Sequence, residues 1–332
     1  MANEVAEKKE FTTSISQWSN EITGLVARDY AECGVSFDEY SKKCAMTAMT
    51  SIFQIVKQNK DITMQNLDTS NLREVVGQCA SLKLNANAFP RECYFSLRKT
   101  WNADSKSYSY AIEMGLEGAG NDSLLRNFGE GVDTVYPYWV VKDGDEFVYP
   151  KRKGIELTPP EWEEKGLSQK CVRVVYPVKL KDGTMVYLIS ERESVKTNLF
   201  AHVRNNLMNE TFGICENRYK ATDKQKAEIA EKKEVIYEAL RKCNTVDEMI
   251  ACEVARPYMS CAWLDTPESM IVRKMCNNAT KKFPKNYDAM ANRSFLQMDE
   301  TYQNVQEEIE QNQNSVEFPD EEVIDVEASS ET

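Results

Sequence analysis

Between Ser269 and Tyr287 the chain carries five Lys or Arg and no Asp or Glu. Read as a helix, this stretch turns Ile271, Met275 and Ala279 to one side. Lys274, Asn278 and Lys281 recur on another, with Arg273 and Asn277 beside them and Lys282 extending the run. Cations and amides one helical turn apart, roughly 5–6 Å, approach the repeat of phosphates along a single nucleic acid strand. That chemistry is backbone binding. The plainer alternative is a solvated helix face whose lysines sit near a C-terminus, where the helix dipole favours them.

Trp263 precedes this helix, and Tyr94, Trp101, Tyr108 and Tyr110 populate an earlier aromatic stretch. Aromatic faces near cations suit single strands, because every base stacks whatever its identity. Tyr94 and Trp263 are the base-stacking candidates, against the simpler reading of alternating aromatics as core. Arg91, Arg98 and Lys99 flank the same stretch. They either line a groove or guard a sheet edge.

Catalytic chemistry finds little support. His202 is the single histidine and sits in mid-helix, so any Ser-His or Cys-His pair has to use it. Asp145 with Glu163 and Lys165 fits the spacing of a metal nuclease, as many acidic, lysine-rich chains do. The glycines at 115, 118 and 120 lie between strand and helix without the acidic partner of a dinucleotide site. Ten cysteines at irregular spacing, with no Cys-x-x-Cys, read as buried thiols in a reducing cytosol. No catalytic or metal site is expected.

The elements that must position these residues centre on Asn71–Lys99. Leu72, Val75, Val76, Cys79 and Leu82 share a helix face; Pro90 then stops any helix. Cys93, Phe95 and Leu97 alternate as a strand with one buried face. Before it, Ser36-Phe37-Asp38-Glu39 reads as a capping box opening a helix that buries Ala45, Met49, Ile52, Phe53 and Val56. After it, Tyr108–Met114 forms the second strand of a hairpin, and Asn121 or Asp122 caps a short helix ending at Gly129. Two more hairpins are expected, Val135–Val141 with Glu146–Tyr149 and Cys171–Leu180 with Thr184–Ile189, each around Asp-Gly. A long loop, residues 151–169, joins them. Ser190-Glu191-Arg192-Glu193 opens a helix, and Thr245 and Thr266-Pro267 open later ones.

Twelve Asp or Glu and no Lys or Arg follow Met298, so the net charge of −12 belongs to the C-terminal segment. Residues 1–298 hold 41 acidic and 41 basic side chains and are neutral. A neutral body with clustered cations can hold phosphates, and the acidic end is a separate device. Met298, Tyr302, Val305 and Ile309 suggest an acidic amphipathic helix before disorder. No apolar run approaches the roughly 18 residues of a membrane span, and a cytoplasmic protein is expected.

In order along residues 36–285 the chain resembles the RecT family of phage single-strand annealing proteins. The resemblance is carried by Gln78-Cys79, Leu82-Lys83-Leu84 and Cys93-Tyr94-Phe95, then by Gly115-Leu116-Glu117-Gly118 with Leu124-Leu125-Arg126 and Gly129. Gly144-Asp145-Glu146-Phe147, Leu180-Lys181-Asp182-Gly183 and Trp263-x-x-x-Pro267 leading to Arg273-Lys274 complete it. It departs where the family has Gly-Tyr-Arg-Gly and this chain has Leu116 and Glu117, and where Gly-Leu-x-Pro is replaced by Lys83-Leu84-Asn85-Ala86.

The resemblance implies an ATP-independent protein, not an enzyme, that binds single-stranded DNA and anneals it to its complement. It implies an α+β fold: a small antiparallel sheet of hairpins packed on a long helix, then a helical second half and the acidic tail. The expected organisation is an arm at 1–34, the annealing core at 35–210, a helical part at 211–298 completing it, and the tail at 299–332. DNA-binding roles fall to Arg126, Arg273, Lys274, Lys281 and Lys282, with Arg91 or Lys99 replacing the missing family arginine and Arg98 a further candidate beside them. The implied partners are single-stranded DNA and the annealing duplex, further copies in a ring or filament, a phage exonuclease and a host single-strand-binding protein at the C-terminal part. Mg²⁺ bridging DNA phosphates is the one cofactor considered. The rival readings are a phage replication accessory or helicase-loader-like module, and the metal nuclease.

Overall fold

The computed structural model describes residues 19–59, 62, 66–102, 107–216 and 221–296. The expected α+β class holds across them: small antiparallel sheets lie against helices, and the second half is mostly helical. The acidic helix and tail expected after 298 lie outside the described residues. Among the described residues no helix is long and apolar enough to cross a membrane.

A first core gathers helices α1 (19–32), α2 (Glu39–Gln58) and α3 (Thr69–Ser81) under the ribbon of β1 (Cys93–Asn102) and β2 (Ser107–Leu116). Ile22, Val26 and Tyr30 of α1 are buried there, and Arg73 of α3 pairs with Asp29. Residues 19–32, within the segment expected as an arm or a loosely attached helix, form a helix docked on this core. Asp38, not Ser36, caps α2, accepting from Ser41 N at 2.7 Å and from Lys83 Nζ at 2.8 Å. A charged oxygen tied to a cation outcompetes a hydroxyl for the orphan amides. The Lys83 hydrogen bond, with the Ser41 amide, holds this carboxyl down to about 2.

Helix α3 buries Leu72, Val75, Val76 and Cys79, as its periodicity requires. It closes with Leu84 N donating to Cys79 O at 2.9 Å and Lys83 N to Ala80 O at 3.2 Å. Lys83 takes the left-handed conformation (φ +53°) that such a cap needs, and Leu84 is fully buried after it. In the ribbon Cys93, Phe95 and Leu97 face Leu116, Met114 and Ile112 across the strands, all on the covered side. The outer edge of β2 is covered: Tyr110 N donates to Asn66 O at 2.7 Å and Ile112 N to Asn71 Oδ1 at 2.6 Å.

Helix α4 (Gly118–Phe128) starts earlier than Asn121 or Asp122, after Glu117. Its first turn lies against the start of β1, where a Cβ on Gly120 would stand 2.1 Å from the Glu92 carbonyl oxygen. Only glycine allows that approach. Asp122, freed from capping, turns inward to accept the Tyr176 hydroxyl at 2.9 Å. α4 also joins the two cores, with Leu124 and Phe128 in the first and Leu125 in the second.

The second sheet is built on β9 (Cys171–Leu180), which pairs with β10 (Met185–Glu191) on one side. On the other it takes first β3 (Val132–Val135) and then β4 (Trp139–Lys142). The hairpin expected at Asp182-Gly183 is present, with Leu180 N donating to Thr184 O at 2.8 Å. The one expected at Asp143-Gly144 is not. Its turn forms, but β5 (Glu146–Val148) pairs with β8 (Glu161–Glu163), because β4 is already committed to β9 and Asp145 binds Trp162. The expected loop at 151–169 thus contains β8 and a small finger, β6 (Arg152–Lys153) with β7 (Glu156–Leu157).

A single 3₁₀ turn, Arg192–Val195, leads from β10 into α5 (Lys196–Leu207). The expected Ser190 box does not form, since Glu193 is spent on Val246 N at 2.9 Å. α6 (Asp223–Lys242) opens on a Thr222–Gln225 capping box and α7 (Val246–Ala251) on Thr245. Then come α8 (Cys261–Asp265), α9 (Pro267–Lys281), with its proline in the first turn, and α10 (289–296). Val174, Tyr176 and Val178 of β9 meet Ile271, Met275 and Ala279 of α9 in the second core.

Candidate nucleic-acid interface

α9 presents the apolar face its spacing foretold: Ile271, Met275 and Ala279 are buried. Its cationic side is less open than a solvated helix. Asn278 donates to Asn198 Oδ1 at 2.8 Å and Ser194 Oγ at 3.2 Å, so this side lies along the start of α5. Lys274, one turn earlier, is half-buried. Burial, and then the charge of Arg273, pull its pKa below the ordinary lysine value, with Glu117 pulling the other way. No carboxylate among the described residues is in ion-pair contact with it.

Arg273 pairs with Glu117, the residue immediately before α4. Asn121 Nδ2 donates to Asn277 Oδ1 at 3.2 Å one turn further along both helices. The absence of acid within 269–287 is thus offset from outside it, by Glu117. That leaves one carboxylate for two adjacent cations.

The same corner receives the root of the ribbon. Glu117 N donates to Glu92 O at 3.0 Å, and Tyr94 lies directly opposite Gly115, against which its ring packs. A Cβ at Gly115 would stand 2.2 Å from that ring. Tyr94 remains 45% exposed on the outer side. Arg91 is exposed just before β1, and Phe89 beside it is fully exposed. Phe89 was missed from sequence; an aromatic inside the polar turn NANAFP was its available signal. Arg273 and Lys274 therefore stand where α9 meets α4, and the root of the ribbon is joined to that corner through Glu92 and Glu117.

Other candidates fall elsewhere. Arg98 and Lys99, neighbours on a strand, point to opposite faces. Arg98 pairs with Glu113 at 3.0 Å, and Lys99 lies 4.2 Å from the Tyr108 ring centroid. The side chain of Trp101 lies outside the described residues. Arg126 is exposed two turns along α4, its charge felt by Asp122 and Tyr40. Lys281 and Lys282 are exposed at the C-terminal end of α9, whose last carbonyls Lys285 Nζ already satisfies at 3.1–3.2 Å.

Trp263 is a correction. It is 1% exposed, packed in the second core beside His202, and offers no ring face to a base. Aromatic rings gather instead on the outer side of the second sheet. Trp139 stacks on Trp162 at 5.8 Å, and the Arg173 guanidinium lies 4.4 and 4.5 Å from the Phe147 and Tyr149 rings.

His202 Nε2 accepts from Ser260 N at 3.1 Å, while burial and the Lys274 charge lower its pKa. It serves as an acceptor joining α5 to α8. Asp145, Glu163 and Lys165 do converge, but Asp145 is consumed by the turn. It accepts from Lys142 N at 2.8 Å, Lys165 N at 2.9 Å and Trp162 Nε1 at 3.0 Å. Among the described residues no group of three His, Cys, Asp or Glu is placed to hold a metal ion.

Asp122 gives this corner a pH dependence. Burial pushes its carboxyl up to about 6, against the opposing effects of the Tyr176 hydrogen bond and Arg126. The folded state therefore holds a proton that the unfolded chain releases near pH 4, and stability falls as pH rises from about 4 to 6. At about 1.4 kcal/mol per pH unit the effect is at most about 3 kcal/mol. Asp122→Asn should flatten that segment of a urea-midpoint profile; an unchanged slope would remove Asp122 as its source.

No family model matches this chain, and neither a curated protein nor a solved structure matches it, so its own residues carry the functional reading.

Proposed function

We propose that this protein binds single-stranded DNA through its phosphates and anneals it to a complementary strand without nucleotide hydrolysis. The observation that carries the reading is the pair Arg273 and Lys274, two adjacent cations served by the single carboxylate of Glu117. A phosphate entering there relieves the uncompensated, desolvated lysine and competes with Glu117 for the guanidinium. Phe89 and Tyr94 stand exposed around the root of the ribbon and offer ring faces for stacking. Neutralising the backbones lowers the repulsion between two strands, and duplex formation supplies the driving force.

The resemblance to the RecT family belongs to this proposal, and two of its departures acquire a physical sense. Where the family has glycine after the helix, Lys83 adopts the left-handed conformation that glycine enters most easily. Where the family has arginine, Glu117 stands against Arg273. The reading includes side-by-side assembly in a ring or filament, a resecting phage exonuclease, and a host single-strand-binding protein contacted by the C-terminal part.

The test mixes two complementary oligonucleotides with and without the protein, in the absence of ATP. Annealing should accelerate and both strands should be recovered intact. Strands degraded in the presence of Mg²⁺ would favour the nuclease instead. A protein that ignores single strands in dilute salt, with residues 299–332 present or removed, would end the proposal.

A further inference from the structure

The finger of β6 and β7 serves no purpose that folding explains. Lys153 pairs with Glu156 and Arg152 with Leu157, leaving Gly154 and Ile155 as a two-residue turn. Gly154 has φ +65° and Ile155 has no positive φ, the pattern of a turn with glycine in its first central position. Its stem is pinned, with Lys151 N donating to Thr158 Oγ1 at 2.8 Å and Thr158 N to Lys151 O at 2.9 Å. So a stiff hairpin holds Ile155 at its apex, 100% exposed. A β-branched apolar side chain buries nothing there and is a poor turn former.

Lys151, Arg152 and Lys153 precede the apex, all exposed and without an ion pair among the described residues. Glu156 is the one acid on the finger. Alternation puts Arg152 on one face and Lys151 and Lys153 on the other. Residues two apart on a strand rise roughly 6.8 Å, close to the separation of adjacent phosphates along one strand, so this pair is spaced for neighbouring phosphates.

We propose that this finger is a second nucleic-acid contact, distinct from the corner of α4 and α9. Its three cations grip the phosphates of the annealed duplex, and Ile155 wedges between bases at a step or at the junction of duplex and single strand. An apolar tip flanked by cations is the chemistry by which side chains unstack a base step. The inference rests on the DNA-binding reading above and adds to it the annealed product and the place where it is held.

The experiment compares the full chain with Lys151→Ala/Arg152→Ala/Lys153→Ala and with Ile155→Ser. Fluorescence anisotropy on a labelled oligonucleotide and on its duplex is followed across a salt series. A second duplex carries 2-aminopurine to report unstacking. The triple variant should bind duplex at least tenfold more weakly, with the slope of log affinity against log salt shallower by about two to three. Ile155→Ser should keep the wild-type slope and lose the 2-aminopurine signal. All four positions are exposed, so thermal midpoints should not move. Wild-type binding to DNA with neither variant changed would overturn the finger alone. No wild-type binding to either DNA would overturn the function reading, and the finger with it. Phosphatidylglycerol vesicles that capture the wild type but not the triple variant, with DNA affinity unchanged, would assign the finger to a lipid surface and also overturn the inference.

Discussion

Replacing Arg192 by alanine should lower the unfolding free energy by about 3 kcal/mol, near the lower end of the range for breaking a buried ion pair. Its side chain is 5% exposed and its guanidinium holds four elements at once. It donates to Cys171 O of β9 at 2.8 Å, to Asp247 of α7 at 2.5 Å and to Glu268 of α9 at 2.6 Å, from its own turn after β10. Glu268 also accepts from Cys171 N at 3.1 Å, so the start of the central strand β9 and the start of α9 are fastened to each other through this cluster. The two carboxylates are themselves about 40% exposed, and Lys170 stays with Asp247 at 2.8 Å, which is why the upper end of the range is not expected. Burial alone would raise the Asp247 pKa; the Arg192 and Lys170 hydrogen bonds outweigh it and lower it instead. Its contribution is therefore present above pH 4 and fades as pH falls below that, opposite in sign to that of Asp122. Urea unfolding of Arg192→Ala, and of Arg192→Met, which keeps most of the stem, separates charge from packing. A loss under 1 kcal/mol would mean that the cluster is incidental to the fold.

The double reversal Arg273→Glu/Lys274→Glu should weaken single-stranded DNA binding by about 100-fold, taking each charge-assisted contact as roughly 1.5 kcal/mol. Glu117→Gln should act in the opposite direction. It releases Arg273 from a pair with side chains 42% and 28% exposed, and such pairs hold about 1 kcal/mol at most. Affinity should rise by about fivefold or less. The two variants together make a directional test that general destabilisation cannot imitate, since one change weakens and the other strengthens binding at one corner. Equal loss in both would show that the corner is structural. No change in either would place DNA elsewhere on the surface. Lys281 and Lys282, exposed at the end of α9, make a further comparison: their reversal tests how far the strand follows the helix.

Much of the fold was legible because local rules and burial agreed. The faces of α2, α3 and α9, the alternation of β1, the Asp182-Gly183 hairpin, Thr245 as a cap and Pro267 in a first turn all follow from spacing within one element. The errors share one cause. Asp143-Gly144 does make its turn, but which strand comes to lie beside β4 was settled by β9, some thirty residues on. Asp38 displaced Ser36 because Lys83 arrives from another helix, and α4 began early because Glu92 O leaves room only for Gly120. Trp263 looked available for stacking and is core, since α8 folds it beneath α9.

By itself the sequence determined that this is an α+β protein, that α9 has an apolar and a cationic side, and that its surplus of acid lies after residue 298. Those are properties of period and composition, which need no partner in space. Only the tertiary structure decided that Glu117 meets Arg273, that Lys274 is half-buried beside them, that Phe89 and Tyr94 are left exposed, and that Ile155 tips a finger. A cation's worth depends on which carboxylate reaches it and how much water remains around it. The first is set here by a chain segment more than a hundred residues away.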